Sequence, residues 1–329
     1  MSVFSVTATD SAIDYRLAGD GRLTVVITQG LGSASAEWWP IQDALAHRVR
    51  VLTWDRPGYG ESGRPRSART VANVAREALG LLQAVAPEGP LILVGHSQGG
   101  LYTNALARLV RPRVRGVALL DPAHPDNGRL RRELPPRVFR NSGSDLAVRL
   151  RTGNTVARLH LMGLLKPVIM GAPPFTFCRR HPPAARRAIW RNLKRAQAYQ
   201  AALAEYEELE FRTAARDLDA LGPFPEVPLR VLVHDPEVLT TDMSTHLPRE
   251  EAAQVEAIWG ELLREQASLS PLGRVQTAGG SGHLIHLEKP DLVVAAVFEL
   301  VRGAGGGQAG GGSRPFRQTR RPARGQRKR

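Results

Sequence analysis

Cysteine is nearly absent from this 329-residue chain, which contains only Cys178. A single thiol cannot form an internal disulfide, and this pattern is typical of a reducing compartment. Long hydrophobic runs are missing too, because no apolar stretch approaches the ~20 residues that a membrane-spanning helix needs. The first ten residues lack the basic and apolar segments of a signal peptide. These absences predict a soluble protein in the cytoplasm, without a transmembrane segment.

Lysine is also scarce: four of the 45 basic residues are lysine, and the formal net charge is +14. Eight basic residues and no acidic residue fall within positions 303–329, so the first 302 residues carry a mild net charge of +6. No recognised nucleic-acid-binding motif accompanies this charge, so we expect at most weak polyanion binding by this tail. No C-x-x-C or H-E-x-x-H spacing is present, and we predict neither a metal site nor a cofactor.

Short apolar runs of strand length alternate with helical patterns along most of the chain. Runs that are apolar at successive positions suit strands buried on both faces of a parallel sheet. Six such runs occur, at residues 24–28, 49–54, 91–94, 114–120, 229–233 and 274–277. Residues 3–17 predict antiparallel edge strands. The alternation predicts an α/β fold whose mostly parallel central sheet is flanked by helices on both faces.

One long segment, residues 127–225, breaks this alternation. It has no strand pattern, is rich in arginine and proline, and includes a helical pattern from Ala184 to Arg216. We predict a helical cap inserted after the sixth strand, between two parts of the core at 1–126 and 226–302. Residues 303–329 are rich in glycine and then in arginine, without apolar periodicity, and are predicted to be a disordered basic tail.

The strongest local pattern is Gly95-His96-Ser97-Gln98-Gly99-Gly100, which lies between a predicted strand and a predicted helix. A serine at a sharp strand-to-helix turn has strained backbone angles and an exposed hydroxyl. The glycines let the turn close, and the start of the helix favours developing negative charge. This context predicts that Ser97 is a nucleophile rather than part of an ordinary glycine-rich turn.

A serine hydroxyl is a weak nucleophile and needs a general base. His283 follows Gly279-Gly280-Ser281-Gly282, between the predicted last strand and last helix, which is where the base falls in this chain order. His286 is the main competitor, but it leads into the start of the helix at Pro290. We therefore predict His283 as the base, with His286 in a packing or hydrogen-bonding role nearby.

Acyl transfer also needs backbone N–H groups that stabilise the oxyanion of the tetrahedral intermediate. One such group is predicted at Gln98, the residue after the nucleophile. The second is predicted at Leu31, in the loop Gln29-Gly30-Leu31-Gly32-Ser33 after the first buried strand. Glycines on both sides of Leu31 let the backbone approach a ligand closely.

Taken together, these patterns resemble the α/β-hydrolase fold superfamily over nearly the whole chain except the tail. The matching pieces are the nucleophile turn, the Ser281-Gly282-His283 turn, the Gly30-Leu31-Gly32 loop with Trp38 downstream, and Asp55-Arg56-Pro57-Gly58-Tyr59-Gly60-Glu61-Ser62. The last of these is similar to the family's structural motif after the fourth strand. Many members have His-Gly at the oxyanion loop, and here Gln29 takes the place of that histidine. We expect the Gln29 amide to hold the loop by hydrogen bonds.

The resemblance implies an acid that orients the imidazole of His283. Asp121 follows the sixth strand at the carboxyl edge of the sheet, where sites of such folds lie, and is the preferred candidate. The usual family position lies beyond the seventh strand, but no acid stands at the usual offset there. Asp235 is the main alternative, and Asp242 and Glu237 are weaker ones.

The expected activity is hydrolysis of a carboxylic ester or related acyl bond through Ser97, His283 and Asp121, with an acyl-enzyme intermediate. Haloalkane dehalogenases and epoxide hydrolases resemble this fold but have aspartate as nucleophile, so the serine argues against those activities. The same residues would serve a cofactor-free perhydrolase or a carbon–carbon bond hydrolase. A further hypothesis is a catalytically inactive member that binds a ligand or partner. Trp38 and His124 are candidate substrate-binding residues, and the physiological substrate and oligomeric state stay open.

Overall fold

Eight strands of the described residues form one sheet. This computed structural model describes residues 3–8, 10–211 and 214–306. The strands are β1 (Phe4–Ala8), β2 (Ser11–Ala18), β3 (Thr24–Thr28), β4 (Arg50–Trp54), β5 (Leu91–His96), β6 (Val114–Leu120), β7 (Leu229–Val233) and β8 (Gly273–Thr277). Their spatial order is β1-β2-β4-β3-β5-β6-β7-β8, with β3 to β8 parallel and β1 and β2 antiparallel to their neighbours. The predicted mostly parallel sheet with antiparallel N-terminal strands is confirmed.

Helices cover both faces of the sheet, as predicted. The core helices are α1 (Trp39–Ala46), α2 (Val71–Val85), α3 (Gln98–Leu109) and, after an insertion, α11 (Pro236–Met243), α12 (Arg249–Glu265), α13 (Ile285–Glu288) and α14 (Pro290–Gly306). Successive residues of a strand point to opposite faces. In β5, Leu91 and Leu93 therefore pack with α2 and α3, while Ile92 and Val94 pack with α1 and α14. This double burial explains why the central strands are apolar at every position.

Helices fill the segment between β6 and β7, as predicted for a cap inserted after the sixth strand. They are α4 (Gly128–Glu133), α5 (Pro136–Asn141), α6 (Ala147–Arg158), α7 (Met162–Gly171), α8 (Pro183–Leu193), α9 (Ala196–Phe211) and α10 (Ala214–Ala220). Short 3-10 turns occupy Ser35–Trp38, Arg111–Arg113, Phe177–Arg180 and Gln266–Leu269. The single long pattern predicted from Ala184 to Arg216 is thus divided among α8, α9 and α10.

The C-terminal boundary differs from the prediction. Helix α14 continues to Gly306, so the first four residues of the predicted tail, 303–306, are helical. The glycines and Ala304 extend a helix whose apolar side chains Val293, Val297 and Leu300 are already fixed against the sheet. The remainder of the predicted basic tail, 307–329, lies outside the described residues.

A buried carboxylate attaches the cap to the core. Glu205 on α9 accepts hydrogen bonds from Arg56 at 3.1 and 3.0 Å, from Arg69 at 3.0 Å and from the Tyr59 hydroxyl at 2.9 Å. The Arg56 and Glu205 side chains are both fully buried. Burial alone would raise the pKa of Glu205, but the two guanidinium groups outweigh it and hold that pKa below its ordinary value. Three core residues, Arg56, Tyr59 and Arg69, thus bind this one cap carboxylate, and Arg69 also pairs with Glu77 of the core.

Removing this carboxylate should lower the stability of the folded protein. In Glu205→Ala, Arg56 and Arg69 lose their shared partner while staying buried, and an unpaired buried charge costs about 3–5 kcal/mol. We therefore expect the free energy of unfolding in urea to fall by that order. The matched control is Glu207→Ala on the same helix, which removes an exposed ion pair with Arg151 and should cost less than about 1 kcal/mol. Equal stabilities of the two variants would contradict the anchoring role.

Candidate active site

Ser97 lies on the turn between β5 and α3. Its backbone angles are φ 52° and ψ −128°, a conformation that non-glycine residues rarely adopt. Gly99 makes the turn possible, because a Cβ there would lie 2.3 Å from the carbonyl oxygen of Thr28. The Ser97 N–H donates to the Leu120 carbonyl at 2.9 Å, which fixes the turn against β6. The backbone thus has the strained strand-to-helix geometry expected for an exposed nucleophile.

Asp121 and His283 meet beside this turn. Asp121 follows β6, His283 follows β8, and the Nδ1 atom of His283 lies 2.6 Å from Oδ2 of Asp121. An Nδ1–H that donates to the carboxylate leaves Nε2 of the imidazole free to accept a proton. His283, Asp121 and Ser97 all line one cavity. The structure therefore brings together the three residues that the sequence analysis proposed as nucleophile, base and acid.

The alternative residues have other environments. Asp235 begins α11, where its side chain accepts hydrogen bonds from the N–H groups of Glu237 at 3.0 Å and Gly280 at 2.8 Å. Glu237 pairs with Arg249. Within the described residues, no hydrogen bond joins Asp235, Glu237 or the exposed Asp242 to the imidazole of His283. Asp235 is therefore a helix cap that also holds the glycine turn before His283.

His286, the competing base, is buried away from the cavity. Its ring stacks on Trp38 with centroids 4.5 Å apart, and its Nε2 lies 3.6 Å from Oε2 of Glu37. Burial lowers the pKa of His286 to about 3, so the ring is neutral. Trp38, a candidate substrate contact, is also fully buried and does not line the cavity. Its place in the core beside α1 explains the departure from prediction.

A second histidine binds the same carboxylate, and the sequence analysis did not single it out. His234 directly follows β7, and its backbone N–H and ring Nδ1 lie 3.1 and 2.7 Å from Oδ1 of Asp121. Its Nε2 lies 3.6 Å from Oε1 of Glu256. Strand register could have indicated this contact, because Leu232 of β7 pairs with Leu120 of β6 and the next residues share the same sheet edge.

The protonation of this group follows from its partners. Burial disfavours a charged His234 ring, but Asp121 and Glu256 outweigh burial and raise its pKa to about 9. Hydrogen bonds from His234 and His283 likewise outweigh burial at Asp121 and hold the pKa of that carboxyl well below its usual range. Asp121 is thus a carboxylate held between two imidazole rings, one at each oxygen.

The loop after β3 packs directly against the nucleophile. A Cβ added at Gly30 would lie 3.0 Å from Nδ1 of His96 and 3.2 Å from the Cβ of Ser97, so a side chain there would require His96 or Ser97 to shift by a few tenths of an ångström. Leu31, the next residue, and Gln98 line the cavity beside Ser97. Gln98 is also the first residue of α3, and the first N–H groups of a helix have no acceptor within the helix.

Arg56 fixes the shape of this loop. Its guanidinium donates to the carbonyl oxygens of Gln29 at 2.6 Å and Gly30 at 2.9 Å. The Gln29 side chain, which replaces the histidine of many relatives, donates to the Trp54 carbonyl at 2.8 Å. Because Arg56 also binds Glu205 of α9, the loop and the cap share one cation.

The cavity beside Ser97 has a volume of about 350 Å³ and lies between core and cap. Its apolar wall is formed by Leu31, Leu130, Leu146, Leu209, Leu239 and Trp259. At its polar side, the buried Glu210 carboxylate accepts hydrogen bonds from Asn127 at 2.7 Å and Arg131 at 3.2 Å. Such an apolar space with few polar groups is typical of small-molecule sites.

His124, a candidate substrate contact, lies outside the cavity, whereas Trp259, which was not a candidate, lines it. His124 does not line the cavity: its Nδ1 accepts from the Asp126 N–H at 3.0 Å, and its Nε2 lies 3.3 Å from Glu265. Trp259 on α12 does line it, with its ring centroid 5.4 Å from those of both His283 and His234. The sequence gives no local signal for Trp259, because only the packing of α12 brings it to the site.

The family model for the alpha/beta hydrolase family matches residues 25–296 of this sequence. The chain belongs to the α/β hydrolase family. A superfamily protein of Gibberella zeae is 26% identical over 293 residues, which cover 84% of this chain and 86% of the relative. The uncharacterized protein YqjL of Bacillus subtilis is 33% identical over 105 residues, but this alignment spans only 32% of this chain and 42% of YqjL.

Solved structures agree with this family at the level of the fold. A thermophilic esterase from Thermogutta terrifontis superposes with a TM-score of 0.59 and 23% identity, covering 92% of this chain and 99% of the esterase. At this identity the likeness is one of architecture. The chemistry of this hydrolase must therefore be argued from its own residues.

The pairing of His234 with Asp121 predicts a dependence of stability on pH. The folded pKa of about 9 lies above the ordinary 6.5, so the stabilisation is complete below pH 6.5 and is lost as the pH rises through 9. In His234→Gln, which keeps a hydrogen-bond donor without the charge, the unfolding free energy should therefore fall less over this interval than in the wild type. Urea unfolding across this range measures the difference.

The control for this experiment is His47→Gln, which changes an exposed histidine at the end of α1. That variant should follow the wild-type pH profile. Identical profiles for His234→Gln and the wild type would mean that folding does not raise the pKa of His234.

Proposed function

We propose that this α/β hydrolase cleaves carboxylic esters or related acyl bonds, with Ser97 as nucleophile, His283 as general base and Asp121 as the acid that orients it. The observation that carries the proposal is the 2.6 Å contact between Asp121 and Nδ1 of His283, on the cavity that contains Ser97 at a strained turn. The contact fixes the imidazole tautomer that a serine hydrolase needs. We also propose a location in the cytoplasm, as expected from the sequence.

The first half-reaction would begin at the Ser97 hydroxyl. Nε2 of His283 takes the hydroxyl proton while Oγ forms a bond to the carbonyl carbon of the substrate. The carbonyl π electrons move to oxygen and give a tetrahedral oxyanion. As the carbonyl reforms, the bond to the leaving alkoxide breaks, and the alkoxide receives the proton from His283. A water molecule then repeats these steps on the acyl-enzyme and releases the acid.

Backbone N–H groups of Leu31 and Gln98 are proposed to bind the oxyanion. Support comes from the close approach of the Gly30 backbone to Ser97 and from the position of Gln98 at the start of α3. Arg56 holds the loop by the carbonyl groups of Gln29 and Gly30, which fixes the backbone next to Leu31. Preorganised donors of this kind cost no rearrangement when charge develops.

Labelling with a fluorophosphonate probe tests the nucleophile. We expect the wild type to be labelled and Ser97→Ala to be unlabelled, because only an activated serine attacks the phosphorus. Turnover of p-nitrophenyl esters, measured in parallel, should be fastest for acyl chains that fit a cavity of about 350 Å³. A folded wild type that neither reacts with the probe nor turns over any ester would favour a catalytically inactive, ligand-binding protein.

A second pair of variants tests which acid serves His283. Asp121→Asn should lower kcat by about 10³–10⁴, because the amide no longer stabilises the correct imidazole tautomer. The matched variant Asp235→Asn removes a carboxylate at the same sheet edge that caps α11, and it should keep turnover of the wild-type order. A large loss in Asp235→Asn with normal turnover in Asp121→Asn would reverse the assignment.

A further inference from the structure

The cap contains a long segment with basic residues only. Residues 146–204 include eleven arginine or lysine residues and neither aspartate nor glutamate. Within the part of the chain that the structure describes, three of the eleven form ion pairs with a carboxylate: Arg151, Arg191 and Arg195. Arg158, Lys166, Arg179 and Arg180 are exposed. Among the described residues, most basic side chains of this segment therefore form no ion pair with a carboxylate, and the segment carries an excess of positive charge.

Exposed apolar side chains lie in the middle of this basic segment. Leu159, Leu161, Leu164, Leu165 and Val168, here called the cap ridge, are 61, 41, 78, 42 and 72% exposed. Leu159 and Leu161 lie in the turn between α6 and α7, and the other three lie on α7, in which only Met162 is buried. Soluble proteins rarely leave a contiguous apolar patch of this kind uncovered, and such a patch marks an interaction surface.

We propose that the cap ridge and its surrounding basic residues bind the anionic surface of a lipid bilayer. Helices with an apolar face and flanking lysine or arginine residues insert that face at the headgroup level and attract anionic lipids. The high exposure of Leu164 and Val168 fits insertion, because these side chains stand out from the surface. No helix in residues 3–8, 10–211 and 214–306 has the length and hydropathy to cross a bilayer, so the contact is peripheral.

Charge argues against the other occupants of this surface. A second copy of the chain across a two-fold axis would bring two all-basic segments together. The C-terminal residues 307–329 carry eight basic residues and no acid, so they would be repelled as well. A nucleic acid backbone would satisfy the arginines but would offer no apolar partner for five leucine and valine side chains. An anionic bilayer supplies both the charge and the apolar phase.

The position of the cap ridge also bears on substrate class, and this step rests on the proposed function. Leu146 and Arg149, at the start of α6, line the cavity beside Ser97, and the same helix leads to Leu159 and the cap ridge. The helix that leads to the cap ridge is thus also a wall of the site. We therefore expect esters with long acyl or alkyl chains, which partition into membranes, as substrates.

The test measures binding of the full-length Ser97→Ala protein to vesicles, so its outcome does not depend on hydrolysis. We expect co-sedimentation with phosphatidylcholine vesicles containing phosphatidylglycerol, weaker binding to pure phosphatidylcholine, and a decrease with salt. Replacing both Leu164 and Val168 by serine should weaken binding to the anionic vesicles at least tenfold. These two side chains are exposed, so the thermal unfolding of the double variant should match that of the parent.

The matched control replaces Leu272 and Val275 by serine. These residues are 52 and 41% exposed and lie at β8, away from the cap, and their variant should bind as tightly as the parent. Unchanged binding after loss of Leu164 and Val168 would assign the membrane contact to the basic tail and overturn the proposal. Absence of binding to anionic vesicles, or self-association that is lost in the Leu164 and Val168 variant, would overturn it too.

Discussion

The structure depends on one buried cation, the guanidinium of Arg56. It binds Glu205 of the cap on one side and the carbonyl oxygens of Gln29 and Gly30 on the other. A charge so deeply buried persists because each of the three guanidinium nitrogens donates to a carboxylate or carbonyl oxygen. The same contact therefore attaches the cap, shapes the loop beside Ser97 and closes the cavity between them. Because of this contact, the position of the cap and the geometry of the loop after β3 are coupled.

Asp121 imposes a second constraint on the site. Its two oxygens serve two imidazoles, so the carboxylate that orients His283 is itself oriented by His234. A positively charged His234 offsets part of the negative charge at Asp121, and Glu256 offsets part of the charge at His234. The proposed base, His283, therefore lies at one end of a row of alternating charges: Asp121, His234 and then Glu256 on α12. Trp259, on that helix, covers both rings at the cavity wall.

The cap joins these features to the outside of the molecule. Its inner side contributes Glu205 to the core and Leu146, Tyr206 and Leu209 to the cavity. Its outer side carries the cap ridge within a stretch of basic residues. One insertion therefore closes the site and presents the surface that we propose meets a bilayer. A hydrolase built in this way could take lipophilic substrates at the interface where they are concentrated.

Apolar periodicity and glycine requirements are local properties, so the sheet, its helical layers and the turn around Ser97 could be predicted from the sequence alone. It also placed Asp121 and His283 at strand ends, which a parallel sheet brings to one edge. Other features depend on packing between distant segments and emerged from the folded molecule: the buried Trp38, the helix-capping Asp235, the second histidine at Asp121 and the ion pair from Glu205 to Arg56. These contacts join residues up to 149 positions apart, and no local pattern encodes which side chains meet across such a distance.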